Sequence, residues 1–276
     1  MNLRIPGPTP CPPRVLEAMA RQMVNHRGPE FKALLKDLLA RLKAIAQTEG
    51  DILIFTCSGT GGMEAALVNT LSPGDRVLSV TNGSFGDRFA RIAEAFGGQV
   101  QKLSFEWGNP VDPKAVKKAL EDDPSIKLVL VTHNETSTGV TNDLEAIGAV
   151  GREHDKLLLV DAISSMGAID LPMDKWFCDV VVTGSQKSWM VPPGLAMVAV
   201  GPRGWKAVQE ARSARFYWDF QAMKRFQENG ETPFTPAISI YFALAVALDA
   251  IEKEGLPNVI ARHARVRAQP RHRRRL

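Results

Sequence analysis

Cysteine is scarce in this chain. There are three, Cys11, Cys57 and Cys178, widely spaced and without a CxxC pair. An odd number at such spacings argues against a disulfide framework or a zinc site, so reduced, mostly buried thiols are expected. Long apolar runs are lacking as well. No stretch approaches ~18 uncharged apolar residues, and no transmembrane helix is expected. The segment Met1 to Pro8 has no apolar core of the kind a secretory signal carries. These absences point to a cytoplasmic protein. Repeats and low-complexity segments are also missing before the last ten residues.

An excess of one charge is absent from most of the chain. The formal net charge is +4, yet five arginines (Arg267, Arg271, Arg273, Arg274 and Arg275) fall within the last ten residues, without an acid among them. The rest is close to neutral, so the basic balance belongs to a short tail. Neither a nucleic-acid nor a membrane partner is expected of the body. A tail acting on RNA or acidic lipid is the weaker alternative.

What is present is a regular alternation. With 276 residues, 45% of them apolar, the chain can bury a substantial core. Short branched runs at Ile52–Phe55, Val77–Val80, Leu128–Val131, Leu157–Val160, Val180–Val182 and Leu195–Val200 are bounded by Gly, Asp, Asn or Ser, and a further strand is read over Val100–Phe105. Such runs read as strands buried on both faces. Helical patterns lie between them at Met63–Asn69, Phe85–Phe96, Pro113–Leu120 and Leu144–His154, and two more, Pro13–Met23 and Glu30–Ala46, precede them. This is the order of an α/β fold, a mainly parallel sheet with helices on both faces. Sites in such sheets form at the carboxyl ends of the strands.

The residues following the runs carry chemistry. Thr56 to Ala66 (TCSGTGGMEAA) is a glycine-rich passage from strand to helix. Its amides and hydroxyls suit a phosphate, though alone it is equally a tight turn, and it matches neither a nucleotide P-loop nor a dinucleotide fingerprint. Phe85 could stack on a planar ring or simply join the core. In Thr132 to Gly139 (THNETSTG), His133 and Glu135 raise the question of a metal, but no third ligand is near and none is assigned. Asp161 follows four apolar residues, where a carboxylate is costly unless a cation meets it. Lys187 follows another run, where lost hydration would lower its proton affinity and make its amine a better nucleophile. A phosphate turn, an aromatic, a hydroxyl-rich loop, a strand-end Asp and a strand-end Lys, in that order, match the needs of pyridoxal 5'-phosphate (PLP).

These segments, with Pro6–Pro10, Asn82-Gly83, Gly184-Ser185-Gln186-Lys187, Pro192-Pro193-Gly194 and Thr235-Pro236, resemble the class V, fold-type-I PLP enzymes over about residues 3 to 266. The likeness is strongest to the alanine–glyoxylate and serine–pyruvate or serine–glyoxylate aminotransferases. The resemblance implies a seven-stranded, mainly parallel sheet. It implies that Lys187 holds the cofactor as a Schiff base and shuttles the proton, while Asp161 pairs with the pyridine nitrogen. Ile163 and Phe85 would lie on the two ring faces, with Thr136 near the ring hydroxyl. Ser58, Gly59, Thr60 and Gln186 would hold the phosphate, and Gly7 and Pro8 would lie where substrate enters. Thr235 would reach a partner's phosphate across a homodimer interface. The implied substrates are a small amino acid (alanine or serine) and a 2-oxo acid (glyoxylate or pyruvate). The implied organisation is an arm and first helix (1–20), a PLP-binding large domain (21–255) and a shortened start of a small C-terminal domain (256–276) with a basic tail. The family's carboxylate-binding arginine, carried by that small domain, has no counterpart that can be assigned in the tail. Binding of PLP with little turnover is therefore the alternative expectation.

Overall fold

The computed structural model describes residue 3 and residues 5–268. The chain begins with α1 (Pro13–Ala18) and α2 (Pro29–Ala46), then alternates through β1 (Asp51–Cys57), α3 (Gly59–Thr70), β2 (Arg76–Thr81), α4 (Ser84–Ala95), β3 (Gln99–Ser104), α5 (Pro113–Asp122) and β4 (Ile126–Thr132). A two-stranded hairpin, β5 (Asn134–Glu135) and β6 (Val140–Thr141), interrupts the alternation. There follow α6 (Leu144–Glu153), β7 (Leu157–Asp161), β8 (Val180–Gly184) and β9 (Gly194–Val200). Four helices end the described chain: α7 (Pro202–Glu210), α8 (Phe220–Glu228), α9 (Ile238–Glu254) and α10 (Leu256–Ala268).

Seven strands form one sheet in the order β1-β9-β8-β7-β4-β2-β3. All neighbours are parallel except β9, which runs antiparallel to both β1 and β8. The α/β architecture with a mainly parallel seven-stranded sheet is thus as the sequence implied. Strand periodicity divides the core in two. Ile52, Ile54, Leu158, Val160, Val181 and Met197 face a cluster containing Phe31, Leu35 and Leu38 of α2 and Tyr241 and Leu244 of α9. Leu53, Phe55, Leu157, Leu159, Val182 and Val198 face the opposite cluster, with Met63 and Ala66 of α3 and Phe89 of α4. Removing both faces from water leaves no exposed side for alternation to mark, hence the continuous apolar runs.

The helix bounds differ from the sequence reading in two informative places. The pattern read over Pro13–Met23 stops at Ala18, because residues 19–21 close the turn with short-range bonds, Met19 N–H to the Leu16 carbonyl and Ala20 N–H to the Glu17 carbonyl. The helix read from Met63 begins instead at Gly59, so the glycine-rich passage is a helical first turn and not a loop. Its glycines serve close packing. A Cβ on Gly62 would lie 2.8 Å from Val182 Cγ1 and 2.9 Å from Ala196 Cβ. Glycine thus lets α3 press onto the sheet, and the packing outweighs its poor helix propensity. No described helix is long and apolar enough to cross a membrane.

Candidate active site

The carboxyl ends of β1, β2, β4, β7 and β8 lie on one rim, and the singled-out residues collect there. Two helices begin on that rim, α3 and α4, and they begin differently.

At α3 the N-cap residue is Ser58, exposed and making no side-chain cap bond. The first described backbone bond of this turn is Gly62 N–H to the Ser58 carbonyl. The amides of Gly59, Thr60 and Gly61 therefore find no acceptor among the described residues. The floor of this terminus is Ile163, 8% exposed, whose Cδ1 lies 2.5 Å from where a Cβ on Gly59 would sit. Gly184, at the end of β8, lies beside it: a Cβ there would be 3.6 Å from Gly59 Cα and 3.0 Å from Gln186 Oε1. Gln186 Oε1 is buried with no hydrogen-bond partner. An open helix terminus flanked by two glycines makes a cradle for a hydrogen-bonding anion, to which the Gln186 carboxamide can turn its Nε2 donor. A phosphate group fits it.

At α4 the corresponding place is filled by the protein. Glu135, completely buried, accepts at Oε2 from the amides of Phe85 (3.1 Å) and Gly86 (3.0 Å). Its Oε1 accepts from Ser137 N–H at 3.0 Å and Ser137 Oγ at 2.6 Å. Ser84 N–H in turn donates to Ser137 Oγ at 3.0 Å. The β5–β6 hairpin is thereby clamped to the start of α4, which fixes the backbone of Phe85. Gly83 must lack a side chain because Glu135 and Ser137 occupy the space. The sequence reading had weighed Glu135 and His133 only as metal ligands. In the structure they face different partners, since His133 Nδ1 meets Ser165 Oγ at 3.0 Å. Burial pushes the imidazole down to about 4, so His133 is neutral at physiological pH. Among the described residues no group of three or more His, Cys, Asp or Glu could hold a metal ion.

Asp161 ends β7 and is 2% exposed. One bond from the protein reaches its carboxylate, from Ile163 N–H to Oδ1 at 2.9 Å. Burial pushes its pKa up to about 6, against the pull of that hydrogen bond; the negative Glu135 adds to the rise, while Arg88 and Lys187 oppose it. Lys187, three residues beyond β8, is half-buried. Desolvation lowers its pKa, with Asp161 pulling the other way. Its Nζ donates to the Pro6 carbonyl at 3.3 Å. The N-terminal arm is strapped over it: Thr9 N–H donates to the Gln186 carbonyl at 3.0 Å and Thr9 Oγ1 to the Lys187 carbonyl at 2.9 Å. A Cβ on Gly7 would fall 2.7 Å from Lys187 Nζ, and the positive φ of 155° there favours glycine. Pro8 beside it is exposed.

Phe85 is half-buried at the α4 start, and Thr136 is half-buried on the β5–β6 turn, with no side-chain bond to a described residue. Thr235 stands apart from this group. It is exposed and lines a small cleft with Thr56, Tyr217, Thr232 and Phe234. The residues that sequence reasoning missed are those joining the loops. Asn142 accepts at Oδ1 from Asn82 Nδ2 and Val111 N–H, each at 3.0 Å, and donates from Nδ2 to the Thr132 carbonyl at 2.8 Å. No local pattern marks such a residue, because its partners come from three distant segments.

A fold-type-I arrangement, with a strand-end lysine, a strand-end carboxylate and an open helix terminus on one rim, is the class that this geometry defines. The chain belongs to the class-V aminotransferase family, whose model matches residues 1–273. Its structure superposes on the alanine–glyoxylate aminotransferase of Nostoc sp. with a TM-score of 0.91 at 33% identity, covering 95% of this chain and 70% of that one. In sequence it is 43% identical over 268 residues to a protein of Anabaena cylindrica named soluble hydrogenase 42 kDa subunit, covering 96% of this chain and 70% of that protein. It is 39% identical over 271 residues to the serine–glyoxylate aminotransferase of Arabidopsis thaliana, covering 96% of this chain and 68% of the other.

Proposed function

We propose that the chain is a PLP-dependent aminotransferase that moves the amino group of a small amino acid, alanine or serine, to glyoxylate or pyruvate. One observation carries this reading: a lysine amine of lowered proton affinity and an under-bonded buried carboxylate flank a cradle shaped for phosphate. Family membership and the names of the serine–glyoxylate and alanine–glyoxylate relatives support it.

Bound PLP would supply an electron sink for the substrate's α-carbon and a carrier for its amino group. The residues of the chain divide the remaining work. The amides of Gly59 and Thr60, with Ser58 and Gln186, hold the phosphate. Asp161, whose pKa burial raises to about 6, would be the partner for a protonated ring nitrogen. Phe85 and Ile163 would cover the two ring faces, and Thr136 would lie near the ring hydroxyl. Lys187 would hold the cofactor through Nζ, and its amine is the group placed to move a proton at the substrate's α-carbon. Its lowered pKa raises the fraction of free amine able to do both. Gly7 and Pro8 border the way in for substrate. Residues 21–255 form the cofactor domain with the segment before it as an arm, and the basic tail expected at the end of the chain lies outside the described residues. We read the protein as a cytoplasmic homodimer in which Thr235 serves the partner's phosphate.

The test is the visible spectrum of the purified protein with PLP, before and after alanine or serine. The expected result is the yellow band that the aldehyde acquires on joining a lysine amine, shifting when amino acid is added. Lys187→Ala is expected to abolish the band and all transamination. A Lys187→Ala variant that still transaminates would sink the assignment. A wild-type band that ignores amino acids would show cofactor binding without turnover.

A further inference from the structure

The phosphate cradle described above contains amides, hydroxyls and a carboxamide, but no cation. A phosphate monoester carries close to two negative charges at neutral pH, and a helix terminus offsets about half of one. Arg88 stands where the missing charge is needed. It lies on the second turn of α4, half-buried, and its Nη1 donates to Thr60 Oγ1 at 3.4 Å. It thus bridges from one helix start to the other. Its guanidinium lies 4.8 Å from the centre of the Phe85 ring. No carboxylate among the described residues stands within ion-pair distance of it. The neighbouring Asp87 is turned to Lys102, at 3.9 Å. Glu135, the nearest buried acid on the α4 side, has both oxygens occupied by the Phe85, Gly86 and Ser137 donors.

We infer that Arg88 is the cationic ligand of the phosphate group at the start of α3. Three observations lead there independently of the family likeness. Arg88 is half-buried and has no acidic partner among the described residues, which leaves its charge free for a ligand. It already touches Thr60, a first-turn hydroxyl of the open terminus. Its guanidinium lies against the Phe85 ring beside the start of α3, and a guanidinium can recognise two phosphate oxygens at once. The same residue couples phosphate binding to the ring site, since a guanidinium drawn toward the phosphate stays packed on the aromatic that covers the cofactor.

The inference rests on the PLP reading for its ligand, and the experiment separates the two. Wild type, Arg88→Gln and Arg88→Lys are titrated with PLP and with pyridoxal, which lacks the phosphate, following the visible band formed at Lys187. Arg88→Gln is expected to weaken PLP about 10–100-fold, the range for a charge-assisted bond, while pyridoxal changes by less than about twofold. Arg88→Lys is expected to fall between. Equal weakening of both aldehydes, or unchanged PLP affinity, overturns the inference, because a general structural role moves both ligands together. Wild type that gives no band with either aldehyde instead fails the PLP reading. Inorganic phosphate then decides Arg88 alone. Phosphate is expected to raise the melting temperature of wild type above that in chloride and to leave Arg88→Gln unmoved. The same response in both overturns the assignment.

Discussion

Glu135 and Asp161 are both carboxylates buried on the same rim of the sheet, and the protein treats them in opposite ways. Glu135 receives four donors, from Phe85, Gly86 and twice from Ser137. Asp161 receives one, from Ile163, and its pKa climbs to about 6. The helix starts beside them repeat the contrast. The α4 terminus is closed by Glu135, while the α3 terminus has no side-chain cap. A fully bonded buried ion is part of the scaffold, because its desolvation is repaid by fixed donors. An under-bonded one carries an unpaid cost that a ligand can relieve. The chemistry gathers where the fold leaves its polar groups incomplete, and it is braced by the neighbouring group that the fold completes.

Removing the closed carboxylate should have the largest effect. Glu135→Ala would leave the buried Gly86 amide and the part-buried Phe85 and Ser137 amides without this partner, and a loss of about 2–4 kcal/mol is expected in urea unfolding. A loss below about 1 kcal/mol would mean that water replaces the carboxylate, and the contrast would collapse.

The open carboxylate should answer with the opposite sign. Its folded pKa lies above the unfolded value of 3.8, so the stability associated with it is present below pH 3.8 and lost as pH rises through about 6. Asp161→Asn keeps the Ile163 bond and removes the buried charge. In protein without cofactor it should therefore be more stable than wild type at pH 8, by on the order of 2 kcal/mol, with the gain gone near pH 4. A gain that persists at pH 4 would trace the effect to packing rather than charge. The smallest effect belongs to the open helix terminus. Ser58 is exposed and caps nothing. Ser58→Ala should shift unfolding by less than about 0.5 kcal/mol, against about 1 for a working cap, while lowering PLP affinity a few-fold.

Much of this rim was legible before folding was considered. Asp161 and Lys187 stand out because a charged residue directly after a buried run needs a reason, and Ser58 to Gly62 because a glycine-rich passage from strand to helix offers amides to an anion. The sheet was legible for the same reason, since runs such as Leu157–Val160 are apolar at every position. The failures share a cause as well. Glu135 reads as a possible metal ligand because local sequence shows its type but not the amides 50 residues away that satisfy it. Arg88 is one of two arginines on α4, a helix whose charged residues give no local sign of which one turns toward α3. Ser58 to Gly62 reads as a loop because propensity cannot show Val182 and Ala196 pressing against Gly62.

The sequence by itself determined the order of the elements, the burial of the strands on both faces, and which residue types sit at the strand ends, because apolar periodicity and the cost of a buried charge are local properties. Only the tertiary structure decided which of two similar helix starts is open, which of two buried carboxylates is already satisfied, and that Arg88 crosses from one helix to the other. Those outcomes depend on donors and acceptors far apart in the chain meeting within hydrogen-bonding distance, and no local pattern encodes a distance.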